Sequence, residues 1–171
     1  MSMKGFALTA LGGLVILVGI NVLRVQMPAQ EALRHTNGIT VGSYYRFGVI
    51  PDTIVFDLWR VGDEASGAMI LGRFFQFAEE MKDREFREVR LAHKGKTKFI
   101  LDGDDFQEIG EQLSWQNPIY LIRTFPERLK TPEGRQAYDT WTGGMIGVVN
   151  VQMEDVNEMT HEWYLKDLIG I

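Results

Sequence analysis

The feature that most constrains this chain is a run of 19 residues without a charged side chain, from Gly5 to Leu23. As a helix rising about 1.5 Å per residue, the run would be about 28 Å long, close to the roughly 30 Å of hydrocarbon in a bilayer. The alternative is a signal peptide, whose apolar region usually has about 7–15 residues and ends in a small-x-small cleavage site. The nearest candidate, Met27-Pro28-Ala29, lacks that pattern. The sequence therefore predicts an uncleaved single-pass anchor over residues 1–26.

Mostly small residues recur on one side of this predicted anchor, at intervals of four and three. They are Gly5, Thr9, Gly12, Ile16 and Gly19. Helices in lipid associate through close backbone packing, which small residues permit. The stripe predicts contact with a helix of an integral membrane partner, and Asn21 could add a hydrogen bond across helices. The alternative explanation is that glycine is common in transmembrane helices generally.

The basic residues on the two sides of the anchor are almost equal in number and barely favour either orientation in the membrane. Lys4 lies on one side, and Arg24 and Arg34 lie on the other. The positive-inside rule compares such charges. A short N-terminal tail leading into one anchor is commonly followed by a translocated domain. The predicted location is therefore the cell (inner) membrane, single-pass, with the soluble domain on the periplasmic or extracytoplasmic side.

The rest of the chain is acidic, which excludes several classes of function. The first thirty residues contain two charged side chains, so the remainder carries 16 basic against 23 acidic residues, a net charge of −7. Such a body is a poor nucleic-acid binder, because phosphate contacts supply most of that affinity. It is equally unsuited to adsorption on anionic lipid. The chain has no cysteine, which excludes disulfides and thiolate chemistry.

The body is predicted to consist of a connector, residues 27–50, and an α/β domain, residues 51–171. The connector is expected to include a short strand over 40–47. In the domain, Asp63 and Asp104 are predicted to cap two helices, and a long helix is expected at the C-terminus. Strands are predicted over 53–59, 87–93, 98–102 and 119–125. This order favours a mixed sheet of about four to five strands with helices packed against it. The strand 53–59 is apolar on both faces, which predicts an interior strand covered on both sides.

One segment offers a comparison with a known fold. Val61–Met69 follows a hydrophobic strand and resembles a strand–helix unit of the ClpP/crotonase-like scaffold; no residue roles are carried over from this resemblance. If the chain were an enzyme, Ser66, His93 and Asp57 could meet at strand ends, where open α/β sheets bind ligands. Ser66 does not lie in a Gly-x-Ser-x-Gly motif, and local structural roles are favoured for all three residues. No catalytic site is therefore predicted.

The C-terminal helix carries weak candidates for metal ligands. Glu154, Glu158 and His161 share one side of it, and the last two have the Glu-x-x-His spacing. Di-iron bundles need two such pairs and two further carboxylates, whereas this chain has one pair. A solvated helix face is the favoured interpretation, and no metal or cofactor is predicted.

These observations favour a non-catalytic, membrane-anchored accessory subunit or assembly factor of a membrane protein complex. Its expected partners are integral membrane proteins, reached through the anchor helix, and the lipid bilayer. The alternatives are a membrane-anchored hydrolase with a degenerate ClpP/crotonase-like scaffold and a periplasmic ligand-binding module.

Overall fold

The structure, a computed structural model, describes residues 16, 19–32, 38–142 and 145–169, except for the side chains of residues 145, 146 and 169. Within this part of the chain, five strands form one mixed sheet. They are β1 (Ile39–Arg46), β2 (Ile50–Val61), β3 (Glu88–His93), β4 (Lys96–Asp102) and β5 (Leu129–Lys130), in that spatial order. β2 and β3 are parallel and the other neighbouring strands are antiparallel. The predicted α/β class with a mixed sheet is confirmed.

The helices follow the strands in chain order. Helix α1 occupies residues 19–32 and includes a π-helical turn, Val22–Gln26, before the α-helical Met27–Ala32. The next three are α2 (Gly67–Met81), α3 (Gly103–Gln112) and α4 (Pro118–Thr124). The last, α5, starts as Met145–Thr160 and continues through the π-helical His161–Leu165 into Lys166–Ile169. The predicted long C-terminal helix is therefore confirmed.

The hydrophobic core lies on one face of the sheet. Phe56 of β2 contacts Phe74 of α2 and Trp163 of α5, with ring centroids 5.2 and 6.3 Å apart. Phe106 of α3 and Phe125 of α4 also contact Phe74, so the helices share this face. β2 is an interior strand as predicted, and in the described part of the chain the helices named above contact the face that carries Phe56. The other face of β2 carries a polar network around Asp57.

Helix α2 has the predicted buried stripe but a different cap. Its apolar residues at helical spacing are fully buried, namely Ile70, Phe74, Phe77 and Met81. The predicted cap Asp63 is wrong. Ser66 has the extended backbone of an N-cap, and its Oγ accepts a hydrogen bond from the Met69 amide at 3.2 Å. Ser66 therefore has a structural role at the start of this helix.

Helix α4 replaces the strand predicted over 119–125. Asn117 Oδ1 accepts a hydrogen bond from the Ile119 amide at 2.9 Å, and Pro118 occupies the first turn. Both are favoured at helix starts. Leu121 and Phe125, four residues apart, are buried. A short apolar run is compatible with either a strand or a helix, and here the cap selects the helix.

The sheet also extends into the segment expected to be a connector. β1 and the first residue of β2 lie within residues 27–50, and β1 pairs with β2 along its whole length, from Ile39 opposite Val61 to Arg46 opposite Ile50. The short strand expected over 40–47 is present as β1. Its free edge is where helix α1 packs.

Candidate membrane-proximal surface

Helix α1 is fastened to the outer edge of β1 by two side-chain amides. Asn21 Oδ1 accepts from the Tyr45 amide at 2.8 Å, and Asn21 Nδ2 donates to the Gly48 carbonyl at 2.7 Å. Gln26 Oε1 accepts from the Ser43 amide at 2.6 Å, and Gln26 Nε2 donates to the Val41 carbonyl at 3.2 Å. The amides thus act as a substitute for a neighbouring strand, and they protect an edge that would otherwise be open to pairing.

The π-helical turn explains how both amides reach the same strand. Asn21 and Gln26 are five residues apart, and an α-helix would place them about 140° apart around its axis. The turn Val22–Gln26 lies between them, and its i→i+5 hydrogen bonding widens the helix and brings residues five apart closer to one face. Asn21 was expected to bond across membrane helices. In the structure its side chain bonds the domain.

We expect Gln26→Ala to expose the Ser43 amide to solvent exchange. The substitution leaves a buried strand edge without its acceptor, at a cost of about 1 kcal/mol for each lost hydrogen bond. Hydrogen–deuterium exchange should show faster exchange at Ser43, whereas Gln30→Ala, on the exposed side of the same helix, should leave that rate unchanged. Equal rates in the two variants would contradict the role of Gln26.

The side of α1 that faces away from the domain is apolar and exposed. Val25, Ala29 and Ala32 are buried against the domain. An opposite stripe, with intervals of four, three and four, is exposed by 40% or more, and it consists of Ile16, Ile20, Leu23 and Met27. Exposed apolar stripes of this kind are typical of surfaces that meet a membrane or another protein.

The structure covers only part of the predicted anchor and of its partner stripe. Gly5, Thr9 and Gly12 lie outside the described residues. Ile16 is 64% exposed, and a Cβ added at Gly19 would meet nothing within 4 Å. Both positions are thus accessible. Among the described residues, no helix combines the length and hydropathy that a bilayer span requires.

The three residues considered for a hydrolase do not come together. Ser66 caps α2, as described above. His93 and Asp57 lie on opposite faces of the sheet, because His93 pairs with Leu58, the neighbour of Asp57 on β2. Each of the three side chains has its own hydrogen-bond partners.

Asp57 forms the centre of a polar network on the face of the sheet opposite Phe56. Its side chain is buried and accepts from Tyr44 Oη at 3.1 Å, Trp59 Nε1 at 3.0 Å and the Gly95 amide at 3.0 Å. Burial first, and then the neighbouring Asp57 carboxylate, raise the pKa of Tyr44 to about 12. Sequence reasoning identified the turn at Gly95 but not its contact with Asp57. The carboxylate thus fixes the β3–β4 turn to the middle of β2.

His93 belongs to a contact that holds the end of α5. Its Nδ1 lies 2.9 Å from Asp167 Oδ2, and Lys98 Nζ lies 2.8 Å from the same oxygen. The Lys98 hydrogen bond, followed by that of His93, lowers the pKa of Asp167 to about 2. His93 Nε2 is buried and has no hydrogen-bond partner among the described residues. No local pattern indicates this pairing, because 74 residues separate His93 from Asp167.

We expect acid to loosen this contact at the end of α5. The pKa of Asp167 is depressed from 3.8 to about 2, so its ionised form stabilises the fold above pH 3.8, and this contribution is lost as the pH falls towards 2. Urea midpoints measured across this range should therefore fall less steeply for Asp167→Asn than for the natural chain. Asp139→Asn, at an exposed position, should reproduce the natural profile. An unchanged profile for Asp167→Asn would rule out the contribution.

The predicted metal candidates lie on the surface of α5. Glu154, Glu158 and His161 are exposed, and the described residues contain no group of three or more possible ligands arranged around one point. His161 and Ser66 do line one groove of about 530 Å³ between α5 and the start of α2. Its other lining residues are largely apolar or neutral, including Val156 and Tyr164.

Two features bear on function: the exposed apolar stripe of α1, and the hydrogen bonds that join α1 to the domain. No protein-family model, curated protein or solved structure matches this chain.

Proposed function

We propose that this chain is a non-catalytic, membrane-anchored accessory subunit or assembly factor of a membrane protein complex. The anchor comprises residues 1–26, and the α/β domain is held against the membrane on the periplasmic or extracytoplasmic side. The partners are integral membrane proteins, which contact the anchor helix, and the bilayer itself.

The observation that carries the proposal is the exposed apolar stripe of α1. Ile16, Ile20 and Leu23 are exposed by 64%, 40% and 66%, and they belong to the uncharged run from Gly5 to Leu23. In water such a stripe would be unfavourable, because each square ångström of exposed apolar surface costs about 25 cal/mol relative to burial. Lipid or a partner helix would remove this cost.

The connection between α1 and β1 supports a role that depends on position. Four hydrogen bonds from Asn21 and Gln26 join the helix to the strand. Arg73 Nη1 adds a bond of 3.4 Å from α2 to the Ala32 carbonyl at the other end of α1. These bonds hold the described part of α1 against the domain, which supports a role in which the domain stays close to the membrane.

The polar groups considered for catalysis support a structural rather than a chemical role. A serine nucleophile needs a base within hydrogen-bond reach and a third group that orients the base. Ser66 caps a helix, His93 binds Asp167, and Asp57 binds the β3–β4 turn.

To test the proposal, leucine is introduced on two different sides of the anchor helix. Gly12→Leu lies in the stripe of mostly small residues, whereas Ala10→Leu lies about 200° away on a helix. After mild detergent extraction, native mass spectrometry should show that Gly12→Leu loses its membrane partners while remaining membrane-bound, and that Ala10→Leu keeps them. Equal retention of partners would exclude the stripe as the contact. Loss of function in Ser66→Ala at normal abundance would favour the hydrolase instead.

A further inference from the structure

The tip of the β1–β2 hairpin, which comprises Phe47, Gly48 and Val49, exposes apolar side chains on a constrained turn. Phe47 is 76% exposed and Val49 is 55% exposed. Phe47 and Gly48 have φ values of 53° and 74°. Positive φ is unfavourable for a bulky residue, and asparagine or glycine is preferred in such turns. Folding alone therefore gives no reason for a phenylalanine at this position.

The turn between β3 and β4 has a similar backbone conformation but a different side chain. Lys94 and Gly95 have φ values of 49° and 81°, close to those of Phe47 and Gly48. Because β2 and β3 are parallel, the turn after β3 lies at the end of the sheet opposite the turn before β2. One tip thus carries an exposed lysine, and the other carries an exposed aromatic ring.

The aromatic tip lies where α1 would leave the bilayer. Asn21 Nδ2 donates to the Gly48 carbonyl at 2.7 Å, and Asn21 is within the last turn of the uncharged run that ends at Leu23. The side chain of Asn21 therefore joins the tip directly to the end of the predicted anchor. Exposed Ile20 and Leu23 extend the apolar surface beside it.

Charged side chains of both signs lie near the tip, and Arg46 is 3.9 Å from the Glu88 carboxylate. The Arg46 guanidinium lies 4.8 Å from the centroid of the Phe47 ring. Arg84 donates to the Arg24 carbonyl of α1, which brings another arginine to this end of the domain. Arginine can keep its charged head in the interface while its stem and a neighbouring ring lie deeper.

We propose that Phe47 and Val49 insert into the boundary between headgroups and acyl chains, beside the exit of α1. This inference rests on the anchor in the proposed function and adds a second membrane contact to it. Two contacts, one helix and one hairpin tip, fix the tilt of the domain as well as its distance from the bilayer. Because the body is acidic overall, the contact depends on apolar burial and requires no anionic lipid.

Site-specific labelling tests the insertion directly in the full chain. The chain has no cysteine, so Phe47→Cys, Val49→Cys and Lys94→Cys each provide one thiol for an environment-sensitive fluorophore. The variants are reconstituted into phosphatidylcholine vesicles and washed with alkaline carbonate. Lys94→Cys is the matched control because its backbone conformation is that of Phe47, and Val49→Cys guards against a folding defect specific to position 47.

The expected result is a difference between the two ends of the sheet. Labels at positions 47 and 49 should emit at shorter wavelength, lose most of their emission to nitroxide-labelled lipid and resist aqueous iodide. The label at position 94 should show the reverse. Iodide access at 47 and 49 equal to that at 94, in carbonate-resistant protein, would overturn the insertion and leave the anchor intact.

Two other outcomes would also overturn the proposal, for different reasons. If iodide reached the labels at positions 47 and 49 in pure lipid vesicles but not in native membranes, the tip would contact a protein partner instead of lipid. Loss of the chain from the vesicles in the carbonate wash would remove the anchor, and the insertion with it.

Discussion

Replacing Trp163 with alanine should lower the free energy of unfolding by about 3–5 kcal/mol, the usual cost of truncating a buried aromatic residue. Trp163 is 1% exposed. Its ring contacts those of Phe56 and Phe74, and its Nε1 donates to the Ala92 carbonyl at 3.0 Å. The substitution would therefore remove a buried contact between α5 and the sheet. Because domains are typically stable by roughly 5–15 kcal/mol, abundance in the cell should fall as well.

Trp115 provides the matched control for this prediction. It is 69% exposed, and surface substitutions usually change stability by no more than about 0.5 kcal/mol. Denaturant midpoints of the two variants, compared at unchanged slope, measure the difference. A similar midpoint for Trp163→Ala and Trp115→Ala would show that the packing of α5 is not what stabilises the domain.

The second large effect is expected for Asp57→Ala, which should cost about 3 kcal/mol, since each hydrogen bond to a charged group contributes about 1.5–3 kcal/mol. The buried carboxylate accepts from Tyr44, Trp59 and Gly95. Alanine would leave these donors without an acceptor and release the β3–β4 turn. Urea unfolding measures the loss of stability. In Asp57→Asn the pKa of Tyr44 should fall from about 12, because the negative charge beside the phenol is removed, and phenolate absorbance follows that change.

Asp63 serves as the control for Asp57. It was expected to cap α2, but it is exposed, and Ser66 forms the cap instead. Asp63→Ala should therefore leave the unfolding midpoint unchanged. Equal unfolding midpoints for Asp57→Ala and Asp63→Ala would show that the hydrogen bonds around Asp57 contribute no stability. A loss of stability in Asp63→Ala alone would show that Asp63 caps α2.

The parts of the fold that sequence predicted are those with a strong local period. The stripe of α2 from Ile70 to Met81 is buried as expected, and β3 and β4 form the hairpin predicted to turn near Gly95. The strand predicted around Leu121 is wrong, because a run of seven apolar and polar residues has too little periodicity to distinguish a strand from a helix. There the cap at Asn117 was the better signal.

The contacts between α1 and the domain could not be predicted, for a physical reason. Asn21 and Gln26 bond backbone groups 15 to 27 residues away, and nothing in their local spacing indicates those partners. Gln152 of α5 is similar, since it is buried and its side chain bonds those of Arg123 and Glu127. Long-range bonds of polar side chains depend on the finished fold.

The most direct test of the account is to ask whether the chain stays intact in the membrane. Native membranes are extracted with alkaline carbonate, and the intact mass of the chain is measured in the pellet and the supernatant. We expect a chain that retains residues 5–23 in the pellet, since a bilayer-spanning helix resists this treatment. A soluble chain that begins near Ala29 would contradict it, because the run from Gly5 to Leu23 would then be a cleaved signal rather than an anchor.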